Sequence, residues 1–243
     1  MIDLLVTDPP YNVDYEGSND LKIMNDNMES AKFRAFLIAA FKNAAAAMKE
    51  GAAFYIWHGD NERCNFQGAA EDSGLTVKQC LVWNKNQFTL GRQDYQWKHE
   101  PCLYGWKEGA AHYFIDDRTQ ATVIEDKGIE FKKMKKEELI KLLEDIFADR
   151  ISTTIINEDK PARSELHPTM KPIKLIARLI KNSSRYNDKV LDPFGGSGST
   201  LIACEQLNRK CYMMELDPKY CDVIVKRWEE YTGKKAQRLK NGN

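Results

Sequence analysis

The sequence has no net charge, no long apolar run and no closely paired cysteines. Basic and acidic residues number 36 each, so the formal charge is zero. That balance argues against a protein that merely coats nucleic acid, because any basic binding surface must be offset by acidic surface elsewhere. No apolar run is long enough to span a bilayer, and no signal peptide precedes Asp3. We expect a cytoplasmic protein without membrane contact.

The six cysteines do not form the short-spaced sets that hold zinc, and several lie in apolar runs. We therefore expect reduced thiols in the core and no metal. The 243 residues, 42% of them hydrophobic, can bury the core of one domain with an inserted module.

The most informative stretch is Asp8-Pro9-Pro10-Tyr11, which follows the apolar run from Ile2 to Val6. The run predicts a buried strand, and two prolines end it because they have no N–H and a fixed φ. The result is a corner rich in acceptors, with a carboxylate, carbonyls that no strand pairs, and an aromatic ring. A planar group with two N–H donors would satisfy it.

The exocyclic amine of a nucleobase is such a group, but its lone pair is delocalised into the ring. Acceptors on both N–H bonds favour a pyramidal nitrogen whose lone pair faces an electrophile, which stabilises the transition state more than the ground state. An isolated Asp-Pro-Pro-Tyr is more commonly a turn with a surface tyrosine, so the interpretation depends on the rest of the chain.

Alternating strand and helix patterns follow, and they predict an α/β fold with a parallel sheet. The predicted elements are a helix from Ser30 to Lys49 ended by Gly51, a strand from Ala52 to Trp57, a helix from Asn61 to Asp72, and paired strands from Thr76 to Trp83 and from Cys102 to Trp106.

Residues 84–100 mix amides, bases and aromatics without apolar periodicity. A loop of this length is usually functional, and such side chains suit bases and phosphates, although a solvated hairpin is an equal alternative. The candidate DNA contacts here are Lys85, Arg92, Gln93, Tyr95 and Lys98.

Residues 116–163 form the candidate inserted recognition module. They hold a possible strand from Ala121 to Glu125, a basic run with Lys132, Lys133 and Lys135, an amphipathic helix from Glu137 to Phe147 and a strand from Ile151 to Ile156. The basic run suits phosphates, although charge runs are usually solvated. We divide the chain into a target-base half (1–115), this insert (116–163) and a cofactor-binding half (164–243).

A second motif begins where the strand at Lys189 to Leu191 runs into the glycine-rich turn Asp192 to Thr200, and a helix from Leu201 to Leu207 follows. This arrangement brings backbone N–H groups to a ligand. The turn lacks the lysine of a phosphate-binding loop and the third glycine of a dinucleotide fingerprint. The next predicted strand, Lys210 to Met214, leads to Glu215, which is placed to accept the hydroxyls of a ribose.

These features describe a nucleoside pocket without phosphates, which fits S-adenosylmethionine. Upstream, Lys171 and the first turn of the helix from Ile173 to Lys181 are placed to hold a carboxylate, and Pro172 suits that first turn. His167 alone is more often structural.

With these motifs the chain resembles the beta-class DNA amino-methyltransferases, which methylate adenine N6 or cytosine N4. Asp8 to Tyr11 looks like their catalytic motif, Asp192 to Thr200 like their cofactor loop, and His167 to Pro172 like the motif that opens their cofactor-side helix. The motif order, catalytic first and cofactor last, marks the beta class. Residues 13–106 look most like methylases of bacteriophages and prophages.

The resemblance implies a Rossmann-like methyltransferase fold of permuted motif order, with a mostly parallel sheet and helices on both faces. It implies base contacts for Asp8 and Pro9, base stacking for Tyr11, and a place for Pro10 in the same catalytic motif. The implied cofactor contacts are Asp192, Pro193, Phe194, Gly196, Gly198, Thr169, Lys171 and Glu215. Double-stranded DNA is the implied substrate, and family members often form homodimers.

Two departures from the family stand out. Met170 occupies a position where glutamine is common, and the chain begins inside the catalytic strand, so we expect the sheet to lack one edge strand that would border the cofactor's adenine.

Aspartate at position 8 favours adenine over cytosine N4 in this family. The alternatives are an N4-cytosine methyltransferase, a truncated non-catalytic DNA-binding homologue, and a methyltransferase of small-molecule or protein amines. Pro101-Cys102 resembles the nucleophile dipeptide of cytosine-C5 methylases, but carbon methylation would not need Asp8 to Tyr11, and we expect Cys102 to be a strand residue.

Overall fold

The computed structural model of the chain describes residues 1–14, 24–89, 94–125 and 170–239. Within these residues, seven strands form one sheet, and the other elements are five α-helices and a 3-10 turn at Asp60–Glu62. The strands are β1 Ile2–Thr7, β2 Met48–Trp57, β3 Thr76–Thr89, β4 Trp97–Trp106, β5 Val123–Glu125, β6 Lys189–Asp192 and β7 Lys210–Met213. The helices are α1 Ser30–Ala47, α2 Arg63–Asp72, α3 Ile173–Ser183, α4 Ser199–Gln206 and α5 Pro218–Thr232.

The strand order is β5-β3-β4-β2-β1-β6-β7. Every neighbouring pair is parallel except the two that involve β4, which is antiparallel to both β2 and β3. The predicted mostly parallel α/β sheet is therefore confirmed. Within the described residues no strand pairs with the outer edge of β7.

Each face of the sheet carries its own buried cluster. Phe33, Leu37 and Phe41 recur every four residues along α1 and pack with α2 on one face. Residues of α3 and α4, among them Leu179 and Ile202, pack on the other face. Strand β1 serves both faces, since Leu4 and Leu5 point to opposite sides.

The prediction that Gly51 ends α1 was wrong. The helix ends at Ala47, and Gly51 lies inside β2 with a φ of +74°. Its N–H donates to the carbonyl of Lys107 at 2.8 Å, and a Cβ there would approach the carbonyl oxygen of Ala111 to 2.6 Å. The glycine is needed because two backbone segments approach closely there. The sequence does not show this requirement, since a glycine after an apolar helical pattern looks like a helix end.

Most of the described part of residues 84–100 lies in the antiparallel strand pair β3 and β4, which we call the β3–β4 hairpin and which matches one of the two predicted alternatives. Strand β3 continues to Thr89 and β4 begins at Trp97, and their ladder ends with the pair Thr89 and Trp97. The predicted strand near Ala121 is confirmed as β5, which lies in the proposed insert and pairs with β3. The predicted helix from Glu137 and strand from Ile151 lie outside the described residues.

All six cysteines are described, and none forms a disulfide. Cys102 and Cys204 are buried as expected, but Cys64 is exposed on α2, so not every thiol belongs to the core. Across the described residues, no helix has the length and apolar character that crossing a membrane requires.

Gly105 lies at a crowded point of the sheet, so Gly105→Ala should destabilise the fold strongly. The new Cβ would lie 2.0 Å from the Thr76 carbonyl oxygen and 2.8 Å from the Phe54 ring, and a strand backbone cannot move away cheaply. We expect a loss of about 3 kcal/mol or more in the free energy of unfolding, measured in urea.

Gly74→Ala is the matched control. Gly74 has a φ of +81°, and a Cβ added there would meet nothing within 4 Å, so this change reports backbone strain alone, roughly 1 to 2 kcal/mol. Equal losses in the two variants would contradict the assignment of crowding at Gly105.

Candidate active site

Neighbouring strands bring the two predicted motifs together. Strands β1 and β6 pair in parallel, so Asp8, which follows β1, and Asp192, which ends β6, lie at the same edge of the sheet. A cavity of about 320 Å³ opens between them. Its lining joins both motifs and includes Asp8, Pro9, Pro10, Tyr11, Lys171, Asp192, Pro193, Phe194, Gly196 and Glu215.

The Asp8-Pro9-Pro10-Tyr11 motif places one carboxylate at the cavity. Asp8 Oδ1 accepts a hydrogen bond from the Tyr11 hydroxyl at 2.8 Å, and the Asp8 side chain keeps 29% of its surface exposed. The Tyr11 ring lies edge-on to Phe66, and a Cβ on Gly59 would lie 3.3 Å from Tyr11 Cβ. The tyrosine is thus held both by its hydroxyl and by close packing.

Lys171 carries the buried positive charge of the site. Its ammonium forms ion pairs with Asp8 and, at 3.2 Å, with Glu100, and it donates to the Tyr11 hydroxyl at 3.0 Å. The ring of Trp57 lies 5.1 Å below it. The sequence prediction put this ammonium at the carboxylate of the cofactor, and the structure shows it in contact with Asp8 and Tyr11.

Sequence analysis missed Glu100. Its carboxylate on β4 contacts Lys171 on one side and Lys85 Nζ at 3.0 Å on the other. The antiparallel register pairs Trp83 with Glu100, so Lys85, two residues further along β3, is its diagonal neighbour on the same face. That register was the missing signal. Lys85, predicted to contact DNA, has a side chain only 11% exposed and serves this pair.

Burial and charge oppose each other in this cluster. Burial raises the pKa of Asp8 and the nearby Glu100 carboxylate adds to the rise, while Lys171 counteracts both. Burial would also raise the pKa of Glu100, but Lys171 and Lys85 outweigh it and the pKa is lowered. Burial would lower the pKa of Lys171, but its two carboxylate partners raise it, so the lysine is charged.

The second motif is anchored from within. Asp192 is buried, and its carboxylate accepts from Thr200 Oγ1 at 2.6 Å, Thr7 Oγ1 at 3.2 Å and the Phe194 N–H at 3.2 Å. These bonds tie the glycine-rich loop to β1 as well as to α4. Burial raises the pKa of Asp192 to about 7.

Glu215 is held by backbone donors at the tip of β7. One carboxylate oxygen accepts from the Gly196 N–H at 2.7 Å and the other from the Asp217 N–H at 2.9 Å. Gly196 and Gly198 have φ of +51° and +82°, which glycine alone adopts readily. Each carboxylate oxygen keeps acceptor capacity toward the cavity, which Glu215 lines.

Sequence analysis also missed a set of polar contacts that joins Asn12 to Asp26 and Met28. The Asn12 side chain accepts from the Met28 N–H at 2.6 Å and donates to the Met28 carbonyl at 3.0 Å. Asp26 accepts from the Asn12 N–H at 2.8 Å. These contacts fix the backbone directly after the Asp8-Pro9-Pro10-Tyr11 motif.

The remaining predicted site residues separate into two groups. Tyr95 and Lys98 are exposed on and beside the β3–β4 hairpin. Thr169, Arg92, Gln93, Lys132, Lys133 and Lys135 lie outside the described residues.

The fold and the cavity bring a glycine-rich loop next to a corner rich in hydrogen-bond acceptors. Comparison with known proteins identifies the family. The profile of the N6_N4_Mtase family, described as DNA methylase, matches residues 2–226. The chain belongs to this family of DNA methylases.

Relatives of known name align over most of the chain. The type II methyltransferase M.BglII of Bacillus subtilis is 25% identical over 91% of this chain and 62% of its own length. The DNA adenine methyltransferase YhdJ of Escherichia coli is 24% identical over 98% of this chain and 80% of its own length. The chain therefore spans less than two thirds of M.BglII.

Solved structures share the fold. The M1.HpyAVI–SAM complex superposes with a TM-score of 0.64 at 21% identity, covering 93% of this chain and 88% of that one. The cytosine-N4-specific PvuII DNA methyltransferase gives a TM-score of 0.65 at 16% identity, covering 93% and 79%. At sequence identities this low, the superpositions show a shared fold and nothing more.

Asp192 should make stability depend on pH, because its folded pKa of about 7 lies above the ordinary 3.8. The folded protein holds a proton that the unfolded chain releases, so the stabilisation is present at low pH and is lost as the pH rises toward 7. Asp192→Asn removes this titration and keeps an oxygen acceptor for Thr7 and Phe194.

We expect the stability of wild type relative to Asp192→Asn to fall by roughly 3 kcal/mol between about pH 4 and pH 8, measured by urea unfolding at each pH. A difference that stays constant with pH would show that Asp192 is ionised throughout.

Proposed function

We propose that this chain transfers a methyl group from S-adenosylmethionine to the exocyclic N6 amine of adenine in double-stranded DNA. The observation that carries the proposal is one cavity lined both by the Asp8 carboxylate and by the glycine-rich loop with Glu215. Family membership supports the reaction class, and aspartate at position 8 together with the name of the relative YhdJ supports adenine.

The cavity fits the methyl donor. Glu215 offers carboxylate oxygens that backbone N–H groups hold in place, as a ribose diol requires. Phe194, packed edge-on against Phe36, adds an apolar wall for a purine. A Cβ on Gly195 would come within 2.7 Å of the Met213 side chain, so a larger residue there would have to displace that side chain. The bound donor supplies an electrophilic sulfonium methyl.

Asp8 is the acceptor for the target amine in this proposal. Its partly exposed carboxylate accepts one N–H of the amine, and the carbonyl of Pro9, a residue that lines the same cavity, accepts the other. Both bonds favour a pyramidal nitrogen that attacks the methyl carbon directly, so no covalent enzyme intermediate forms. The surplus proton then leaves the nitrogen for the Asp8 carboxylate, whose raised pKa favours uptake.

DNA approaches over the edge of the sheet at which the cavity opens. Strand β2 ends at Trp57, opposite Cys102, while the β3–β4 ladder continues to Thr89 and Trp97. The hairpin thus projects roughly 15 Å past the end of β2. Phe88 is 57% exposed and Tyr95 90% exposed near its tip, as suits stacking on bases.

The target base must leave the duplex to reach Asp8, at a cost of a few kcal/mol. Stacking on Tyr11 would offset roughly 1 to 3 kcal/mol of that. Cytosine N4 is the second candidate, since the same corner accepts either amine and the PvuII enzyme shares the fold.

The first experiment incubates the purified chain with S-adenosylmethionine and unmethylated bacterial DNA, then identifies modified nucleosides by mass spectrometry. We expect N6-methyladenine from wild type. Asp8→Asn should lower the product at least about a hundredfold, because an amide of the same shape lacks the negative charge that the amine requires.

Unchanged melting and cofactor binding would show that Asp8→Asn is folded. N4-methylcytosine would preserve the mechanism and overturn the base, whereas no methylated base from any duplex would overturn the proposed reaction.

A contact between the β3–β4 hairpin and DNA phosphates should make DNA binding depend on salt concentration. Lys98→Ala should weaken DNA binding and reduce the slope of log K against log salt by about 0.9, since one phosphate contact is lost. Lys210→Ala is the matched control, because Lys210 is exposed at the amino end of β7, on the opposite edge of the sheet. Fluorescence anisotropy with a labelled duplex measures both, and equal slopes in the two variants would remove Lys98 from the DNA surface.

A further inference from the structure

Four charged side chains of alternating sign run inward from the hairpin to the catalytic motif. Lys85 Nζ contacts Glu100 at 3.0 Å, Glu100 contacts Lys171 Nζ at 3.2 Å, and Lys171 contacts Asp8. The exposed fractions of the side chains are 11% for Lys85, 23% for Glu100, 6% for Lys171 and 29% for Asp8. Water therefore competes only weakly for these ion pairs. The four formal charges sum to zero.

We propose that Glu100 is a positioning residue of the methyl transfer, which shares the Lys171 ammonium with Asp8 and thereby leaves the Asp8 carboxylate free to accept from the target amine. The proposal rests on the proposed function, in which Asp8 is that acceptor. Neither the sequence motifs nor the family match assigns Glu100 a role.

Geometry makes the sharing necessary. Asp8 Oδ1 already accepts from Tyr11, and Oδ2 receives the Lys171 ammonium. If Asp8 were the only anion near Lys171, the lysine would bind it as a closed pair and neutralise it as an acceptor. Glu100 offers the Lys171 ammonium a second carboxylate. The ion pair between Lys171 and Asp8 is therefore weaker than it would be alone, and the buried cation is still paired.

Lys85 sets how strongly Glu100 competes. Its ammonium contacts the other oxygen of Glu100, and it lies 5.9 Å from the Trp83 ring at the base of the hairpin. Removing this cation should make Glu100 hold Lys171 more tightly, and removing Glu100 should release Lys171 entirely to Asp8. The two changes thus move the charge on Asp8 in opposite directions.

Other titratable groups that face Asp8 lie on each neighbouring element. Tyr11 follows β1, Cys102 lies on β4 and Asp192 ends β6. Tyr11 and Cys102 stay neutral near pH 7, because burial raises their pKa well above the ordinary values. Asp192 titrates near neutrality but remains the same in every variant below, so differences between variants isolate the Glu100 chain.

The test compares wild type with Glu100→Gln and Lys85→Met in the pH profile of methyl transfer. In Glu100→Gln we expect kcat to fall at least about tenfold, with KM for DNA and donor within about threefold, because a transition-state contact is weakened. The acidic limb should move to lower pH by roughly one unit, since Asp8 loses a like charge and gains an undivided cation.

In Lys85→Met the acidic limb should move to higher pH, and Lys85→Arg should restore the wild-type profile. Shifts of the acidic limb in opposite directions would support the proposal. A purely structural role of these residues would lower activity in both variants without shifting their acidic limbs in opposite directions. Shifts in the same direction, or none, would overturn the proposal.

A second readout does not depend on turnover. Carbon-13 labelling of aspartate carboxyls, with the Asp8 signal assigned by its loss in Asp8→Asn, reports the Asp8 pKa by NMR. We expect it to fall in Glu100→Gln and to rise in Lys85→Met. An Asp8 titration that Glu100→Gln leaves unchanged would overturn the role of Glu100, whereas expected shifts in a chain that methylates no DNA would overturn the proposed function alone.

Discussion

Parallel pairing of β1 with β6 is the constraint on which the site depends. Leu4 lies opposite Val190 and Leu5 opposite Leu191, although the two strands come from opposite ends of the chain. Because parallel strands end at the same edge, this register puts the Asp-Pro-Pro-Tyr motif and the glycine-rich loop side by side. The Thr7 hydroxyl that donates to Asp192 joins the two motifs directly. Slipping the register by one residue would turn Leu4 and Leu5 to the wrong faces of the sheet and would separate the motifs.

A buried ammonium at this junction imposes the next requirement. Lys171 lies beneath the cavity with 6% of its side chain exposed, where an unpaired charge would be strongly destabilising. A single carboxylate would pair with the ammonium but would then no longer be available to accept a hydrogen bond from a substrate. Two carboxylates satisfy the lysine and leave a net negative charge, which Lys85 balances from the hairpin side. The electrostatics of the pocket therefore extend into β3 and β4, which contact DNA at their far end in the proposed function.

Local patterns made much of this fold predictable. Some features depend only on residues close together in the sequence. They are the apolar periodicity of β1 and α1, the double proline and the glycine-rich turn, and the structure has the corresponding elements near the expected positions. Contacts between distant segments were not readable in the same way. Gly51 looked like a helix end because the approach of Ala111 comes from a distant part of the chain. Glu100 and Lys85 looked like members of a polar loop because their pairing depends on the register of β3 against β4.

Asp8 and Asp192 show why a carboxylate at a strand end does not by itself define a catalytic group. Both lie at the ends of neighbouring parallel strands and both line the cavity. Asp192 accepts from Thr7, Thr200 and a backbone N–H, and the residue is only 4% exposed, so its acceptor capacity is spent on holding the loop. The Asp8 side chain accepts from Tyr11 and a shared lysine and keeps 29% of its surface open. In the proposed function, a base amine that enters the cavity therefore finds acceptor capacity at Asp8 and not at Asp192, and this difference assigns the reacting role to Asp8 and the supporting role to Asp192.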